Sequence, residues 1–180
     1  MGTKGIAATT LRSVAASTGL AARYLAESFP TIADLHVAVF DEIVAEVESR
    51  GMAAIARPAA NTYHRARAAL AAVTSVVLDD PRKGRIVLIE SASSPTLGHR
   101  RIAEARRIAA LVGHVARNTA GVDAELLDLQ ITTQFVIGGV GEALTAVLLG
   151  EIETERDHLV DRLTDLLFVT LNGARQPVNH

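Results

Sequence analysis

Alanine fills 31 of the 180 positions, aromatic residues make up 3%, and tryptophan and cysteine are absent. Alanine is the strongest helix former, while strands draw on β-branched and aromatic side chains, so an all-α fold is expected. Hydrophobic residues at 49% against 21% charged are enough to bury a core and exclude a disordered tail. The length suits one ordinary domain, or a small module joined to a larger helical one. Without cysteine there is no disulfide framework, thiolate zinc site or cysteine nucleophile. The first ten residues lack the apolar run of a signal peptide, so a cytoplasmic location is expected. The most membrane-like window, residues 131–150, carries Gln134, Glu142 and three threonines, and reads as a buried or interface helix rather than a span.

The first informative stretch is residues 10–29. A short apolar pattern (Leu11, Val14, Ala15) leads into Thr18-Gly19, and a second (Leu20, Tyr24, Leu25) follows, predicting two brief helices around a tight turn. Thr10 is placed to cap the first helix, and Gly19 to take the left-handed position that closes it. Phe29-Pro30 breaks the pattern, and Thr31 with Asp34 starts a helix along Leu35, Val39, Ile43 and Val47. A module boundary is expected near residue 50.

Longer helices are expected beyond it: one begun or kinked by Pro58 and running to Asp79, then a shorter one over 82–91. A loop at Ser93-Ser94-Pro95 precedes an arginine-rich helix over 99–119, ended at Ala120-Gly121. Asp123 caps a helix over 124–149 that Gly150 stops, and the last runs from near Thr154 to Asn172-Gly173. That makes about eight helices and no strand.

Catalytic and metal motifs are thin. Gly139-Val140-Gly141 does not follow a strand and lacks the later glycine of a phosphate loop. Glu155 and His158 have the three-residue spacing of a di-metal helix, but no second pair accompanies them, so a solvated face is expected and no metal or cofactor is implied. Ser91, Ser93 and Ser94 lack a nucleophile-elbow context, and the chain does not read as an enzyme. Residues 82–117 hold eight basic residues against Glu90 and Glu104. These read as a charged exterior balancing the acidic stretch 123–165, or, as the lesser alternative, as a site for an anionic effector or partner protein.

Thr10-Leu11-Arg12-Ser13-Val14-Ala15, Gly19-Leu20, Arg23-Tyr24, Phe29 and Asp34-Leu35 resemble the helix-turn-helix of the TetR (tetracycline-repressor-like) family. Val136-Ile137-Gly138-Gly139 to Leu144, Gly150, and His158-Leu159-Val160 to Leu166-Leu167 resemble its two closing helices, which form a four-helix dimer interface. The resemblance covers both ends of the chain and leaves the middle, variable in that family, without a motif. It implies a DNA-binding head with a connecting helix over residues 1–50 and a helical ligand-binding and dimerisation domain over 51–180.

By this resemblance Ala21, Ala22, Arg23 and Tyr24 face the bases, with Arg23 suited to a guanine edge and Tyr24 to a thymine methyl or a phosphate. Thr10 and Arg12, joined by Ser28, belong to the DNA-contacting set, the first two holding phosphates. The alternatives are a solvated Arg23 and a core Tyr24. Too few residues precede Gly5 for the family's first helix, so either the natural chain starts upstream or the head is looser than the family's. Ala26 and Ile32 stand where the family usually has an aromatic and a lysine, and residues 1–29 carry only Lys4, Arg12 and Arg23 against Glu27. Fewer neutralised phosphates predict weak, salt-sensitive DNA binding.

Gly138, Gly139 and Gly141 each cost ~1 kcal/mol relative to alanine in a helix interior, which close approach of another helix would offset. With Leu144, Leu148, Leu159, Leu163 and Leu166 they form the expected homodimer interface, the alternative being an intramolecular core helix. The ligand pocket is expected to be mainly aliphatic and to include Tyr63, Thr132 and Phe135. The resulting expectation is a homodimeric repressor released from operator DNA by a small apolar ligand, with no membrane partner. The alternative is a dimeric ligand-binding or protein-interaction module with an incomplete head that does not read DNA.

Overall fold

Among the described residues of this computed structural model, 1–3, 5–120 and 126–173, every regular element is helical, in keeping with the alanine-rich composition. Helix α1 (Leu11–Thr18) begins at a reciprocal cap: Ser13 N–H donates to Thr10 Oγ1 at 3.1 Å, and Thr10 N–H donates to Ser13 Oγ at 3.0 Å. Gly19 at φ 70° closes it, a conformation that a side chain would strain, and α2 (Ala22–Ser28) follows. Thr31 and Asp34 repeat the reciprocal cap at the start of α3 (Ile32–Ala56).

The expected boundary near residue 50 falls inside α3, which is unbroken from Ile32 to Ala56. Gly51 is buried there, and a Cβ on it would lie 3.3 Å from Val73, so the glycine marks a close helix approach rather than a linker. Pro58 lies in the connection and does not start the next helix. Asn61 does, accepting from His64 N–H at 3.0 Å at the head of α4 (Thr62–Asp79).

The short helix expected over 82–91 is less regular. Helix α5 (Pro81–Gly84) runs into a π-helical segment (Arg85–Glu90) and then α6 (Ser91–Ser93). At Gly84 a Cβ would meet Val77 O at 2.6 Å and Leu148 Cδ1 at 2.7 Å, so only glycine lets these elements close together. The expected loop at 93–95 shrinks to extended Ser94, because Pro95 itself opens α7 (Pro95–Ala120), where its missing N–H costs nothing. Helix α8 (Leu126–Leu149) ends at Gly150 with φ 75°, and α9 (Arg156–Gly173) closes the bundle. Lys4, Gly121, Asp123 and Ala124, to which sequence roles were given, lie outside the described residues.

Helix α3 packs along α4, α4 along α9, and α7 against both α3 and α8. One core joins Ile6, Phe40, Ile43, Val76, Ile86 and Leu97. A second joins Val77, Leu144, Leu159 and Leu163, and a third Ala116, Leu129 and Leu171. Residues before α1 are tied to the body: Ile6 enters the first core and its N–H donates to Glu90 Oε2 at 2.9 Å.

Ion pairs set the register of α7 on α3. Arg100 engages Asp41 with both of its bonds at 2.5 Å, and Arg107 engages Glu48 at 2.9 and 2.7 Å and Glu104 at 2.7 Å. Both α3–α7 pairs join residues 59 apart, so the two helices run parallel. Lys83 meets Glu46, Arg82 meets Asp80 and Arg85 meets Glu90. Within the basic run 82–117, Arg82, Lys83, Arg85, Arg100 and Arg107 are thus answered by acids of α3 and of their own neighbourhood. Proximity in the fold, which sequence distance conceals, decides the partners. Hydrogen bonds from Lys83 and from Arg107 are the first cause holding the Glu46 and Glu48 carboxyls below their usual range.

Candidate functional site

Three surfaces carry features that the core does not explain. The first is the α1–α2 unit. Leu25 turns inward with Ala15, while Ala21, Arg23, Tyr24 and Ser28 stay exposed on α2 and Thr10 and Arg12 on the α1 side. Arg23 lies 3.7 Å from Glu27, one turn on, and its guanidinium sits 5.3 Å from the centre of the Tyr24 ring, a cation–π contact that lays both side chains along the helix. Of the two alternatives weighed for Tyr24, core and surface, the ring takes the surface. The unit is thinly covered: Leu11, Val14 and Phe29 are half-buried and Leu20 is 52% exposed. Ala26 is exposed and Ile32 half-buried.

The second surface runs along α8 and α9. Leu127, Ile131 and Phe135 recur every four residues and are all exposed, Phe135 at 70%. Gly138 and Gly139 continue the stripe, and a Cβ on either would meet nothing within 4 Å. Leu166 and Val169 of α9 are exposed too, Val169 at 69%. The residues named for self-association therefore divide. Leu144, Leu159 and Leu163 are buried in the chain's own second core, Leu148 packs on that core and against Gly84, and Gly141 faces Leu88. Those five are intramolecular, because their side of each helix is the one turned to α4 and the π-helical segment. Gly139 and Leu166 lie on the open side, and Gly138, exposed as well, borders the cavity between the helices.

The third feature is a cavity of about 700 Å³ between α3, α4, the π-helical segment, α7, α8 and α9. Its wall is mainly aliphatic, with Val44, Val47, Ile55, Leu70, Val73, Leu88, Ile108, Leu111 and Ile137 among the lining side chains. None of Tyr63, Thr132 and Phe135 lines it. Tyr63 faces α9 instead, donating to Asp165 Oδ1 at 2.8 Å and packing on Phe168; that hydrogen bond, first among the causes, raises the phenol above its ordinary range. Phe135 points to the outer stripe, and Thr132 is half-buried.

The polar side chains on the cavity wall include Glu48, Arg65, Arg101, Glu104, Gln134 and Glu142. Glu48 and Glu104 are both occupied by Arg107. Arg65 differs: its Nε is sealed from solvent and has no hydrogen-bond partner. A buried donor without an acceptor is uncommon enough to require a reason. Arg65 carries no sequence motif, yet it has a signal: Arg65, Ala69, Val73 and Val77 form one helical stripe of α4 with a cation in an apolar row.

Glu155 and His158 are exposed, and no group of three or more His, Asp or Glu side chains is arranged to hold a metal among the described residues. Leu127–Leu149 is long and apolar enough to cross a membrane, and its inner side contributes Gln134 and Glu142 to the cavity. In comparison with known proteins, no family model matches the chain and no curated protein is significantly similar to it.

Proposed function

We propose that the chain is a homodimeric, cytoplasmic TetR-like transcriptional regulator. In this reading it is a repressor that grips operator DNA through residues 10–29 and lets go when a small apolar ligand fills the cavity. The observation that carries the reading is the α1–Gly19–α2 unit, with Leu25 turned in and Arg23 and Tyr24 turned out. A short helix held after a tight turn, with its polar side free, is what a major groove about 12 Å wide admits.

The bare stripe of α8 and α9 supports the two-fold partner. An exposed apolar row flanked by open glycines is what a second pair of helices would cover, and a two-fold protein matches half-sites about one helical turn apart. Cavity and head are linked through the π-helical segment. Val87, Leu88 and Ile89 line the cavity, and the next residue, Glu90, holds the Ile6 N–H just ahead of α1. A ligand that favours a different packing of this segment would favour a different head position, and DNA affinity would fall by that differential.

Selection from randomised palindromic duplexes, followed by fluorescence anisotropy at two salt concentrations, tests the reading. Binding that weakens with salt supports it, and no selected sequence at low salt sinks it. Arg23→Ala should relax preference at one position per half-site, whereas Arg12→Ala should weaken all sequences alike and reduce the salt slope by about one. The exposure of Leu20 and the small positive charge of residues 1–29 favour one second reading, a dimeric ligand-binding module whose head does not read DNA. Ligand binding and self-association without selectable DNA would choose it.

A further inference from the structure

The cavity's length and the sealed, partnerless guanidinium Nε of Arg65 on its wall point to a class of ligand. On α3 the lining runs from Phe40 to Ile55, and on the parallel α7 from Arg101 to Ala116. Either stretch is about 22 Å long at the rise of an α-helix. A cavity of about 700 Å³ running beside two parallel helices over that length is elongated enough to take an extended chain.

The two ends differ in charge. Helix α8 runs back along α7, with Gly113 beside Leu129 and Thr133, which brings Glu142 to the Arg101 end. Both of these side chains are solvent-exposed. Arg65 stands in the first turn of α4, just after α3 ends, and so belongs to the opposite end, where Thr62 and Asn172 also line the wall and carry no charge. Its neighbour Arg67 is committed to Asp161 at 2.6 Å, but Arg65 is paired with no acid among the described residues, and its sealed Nε has no acceptor.

We propose that the cavity takes an unbranched apolar chain ending in a carboxylate, with the chain along α3 and α7 and the carboxylate on the Arg65 guanidinium. A carboxylate supplies the planar pair of acceptors that an arginine fork lacks here, and the aliphatic wall takes the hydrocarbon. The proposal rests on the cavity being a ligand site and does not require the head to bind DNA.

Isothermal titration of the whole chain with dodecanoate and with dodecanol tests it. Dodecanoate should bind about ten- to a hundred-fold more tightly, the range of a hydrogen bond to a charged group. Arg65→Gln should bring dodecanoate to the level of dodecanol while leaving dodecanol binding unchanged. Arg65→Lys should restore part of the preference, and Arg101→Gln should leave it intact, with circular dichroism confirming that each variant is folded. Equal binding of the two probes, or a preference that survives Arg65→Gln, overturns the carboxylate assignment alone. If neither probe binds, the ligand-site reading falls with it, whatever the DNA experiment gives.

Discussion

The α1–α2 unit and the α3–α9 body are built from the same kind of sequence, alanine-rich helices with α1, α3 and α4 opened by threonine or asparagine caps, yet they are stabilised differently. In the body, Phe40, Leu97 and Val160 are almost fully enclosed and bidentate ion pairs fix helix against helix. Among the described residues of the smaller unit only Ala15 and Leu25 are buried, and order depends on local devices: the Thr10–Ser13 cap, the left-handed Gly19 and the capped start of α3. Caps are worth ~1 kcal/mol each, whereas enclosing a large apolar side chain is worth roughly 1.5–3 kcal/mol. The unit should therefore open locally long before the body unfolds, which suits a part that must adjust to a partner.

Substitutions probe that contrast in decreasing order of effect. Phe40→Ala removes the largest enclosed side chain of the first core and should lower global stability by ~3–5 kcal/mol in a denaturant titration. Gly84→Ala drives a Cβ into the Val77 carbonyl and should cost ~1–3 kcal/mol in the same titration, since backbone rather than a side-chain tip must move. Gly19→Ala should cost ~1–2 kcal/mol through the left-handed turn, read as faster hydrogen exchange confined to α1 and α2. Were Gly19→Ala instead to lower the midpoint of the whole chain, unit and body would be one cooperative block and the contrast would vanish.

The smallest effect concerns His36, on α3 beside the head. Burial, then the Met1 ammonium, pushes its imidazole below the ordinary value of 6.5, and Nε2 has no partner. A base with a depressed pKa is protonated more readily in the unfolded chain, so stability should fall as pH drops from about 6.5 to the folded value and change no further below it. His36→Leu should flatten that slope, and a slope that persists would assign the acid sensitivity to other groups.

Much of this architecture is legible in the residues. Thr10, Gly19, Thr31 and Gly150 mark helix ends through their own hydrogen-bonding or backbone preferences, and each is found in that role. Illegible from local rules were the π-helical segment that follows Gly84, where Val77 and Leu148 come close, and the unbroken course of α3 through Gly51. The candidate sites divide the same way. Arg23 and Tyr24 were accessible to sequence reading because helical period and a turn define their face. Arg65 was not, because its meaning depends on which acids lie nearby in space.

By itself the sequence determined that the chain is helical and where several helices begin and end, since caps and glycine turns act over three or four neighbouring residues. Which side of α8 and α9 is inside was settled by long-range packing. Helix α8 is apolar nearly all round, so periodicity alone cannot tell Leu144, enclosed at 3% exposure, from Phe135, which stands open. Packing against α4, α7 and the π-helical segment makes that choice, and with it creates the cavity and leaves Arg65 on its wall.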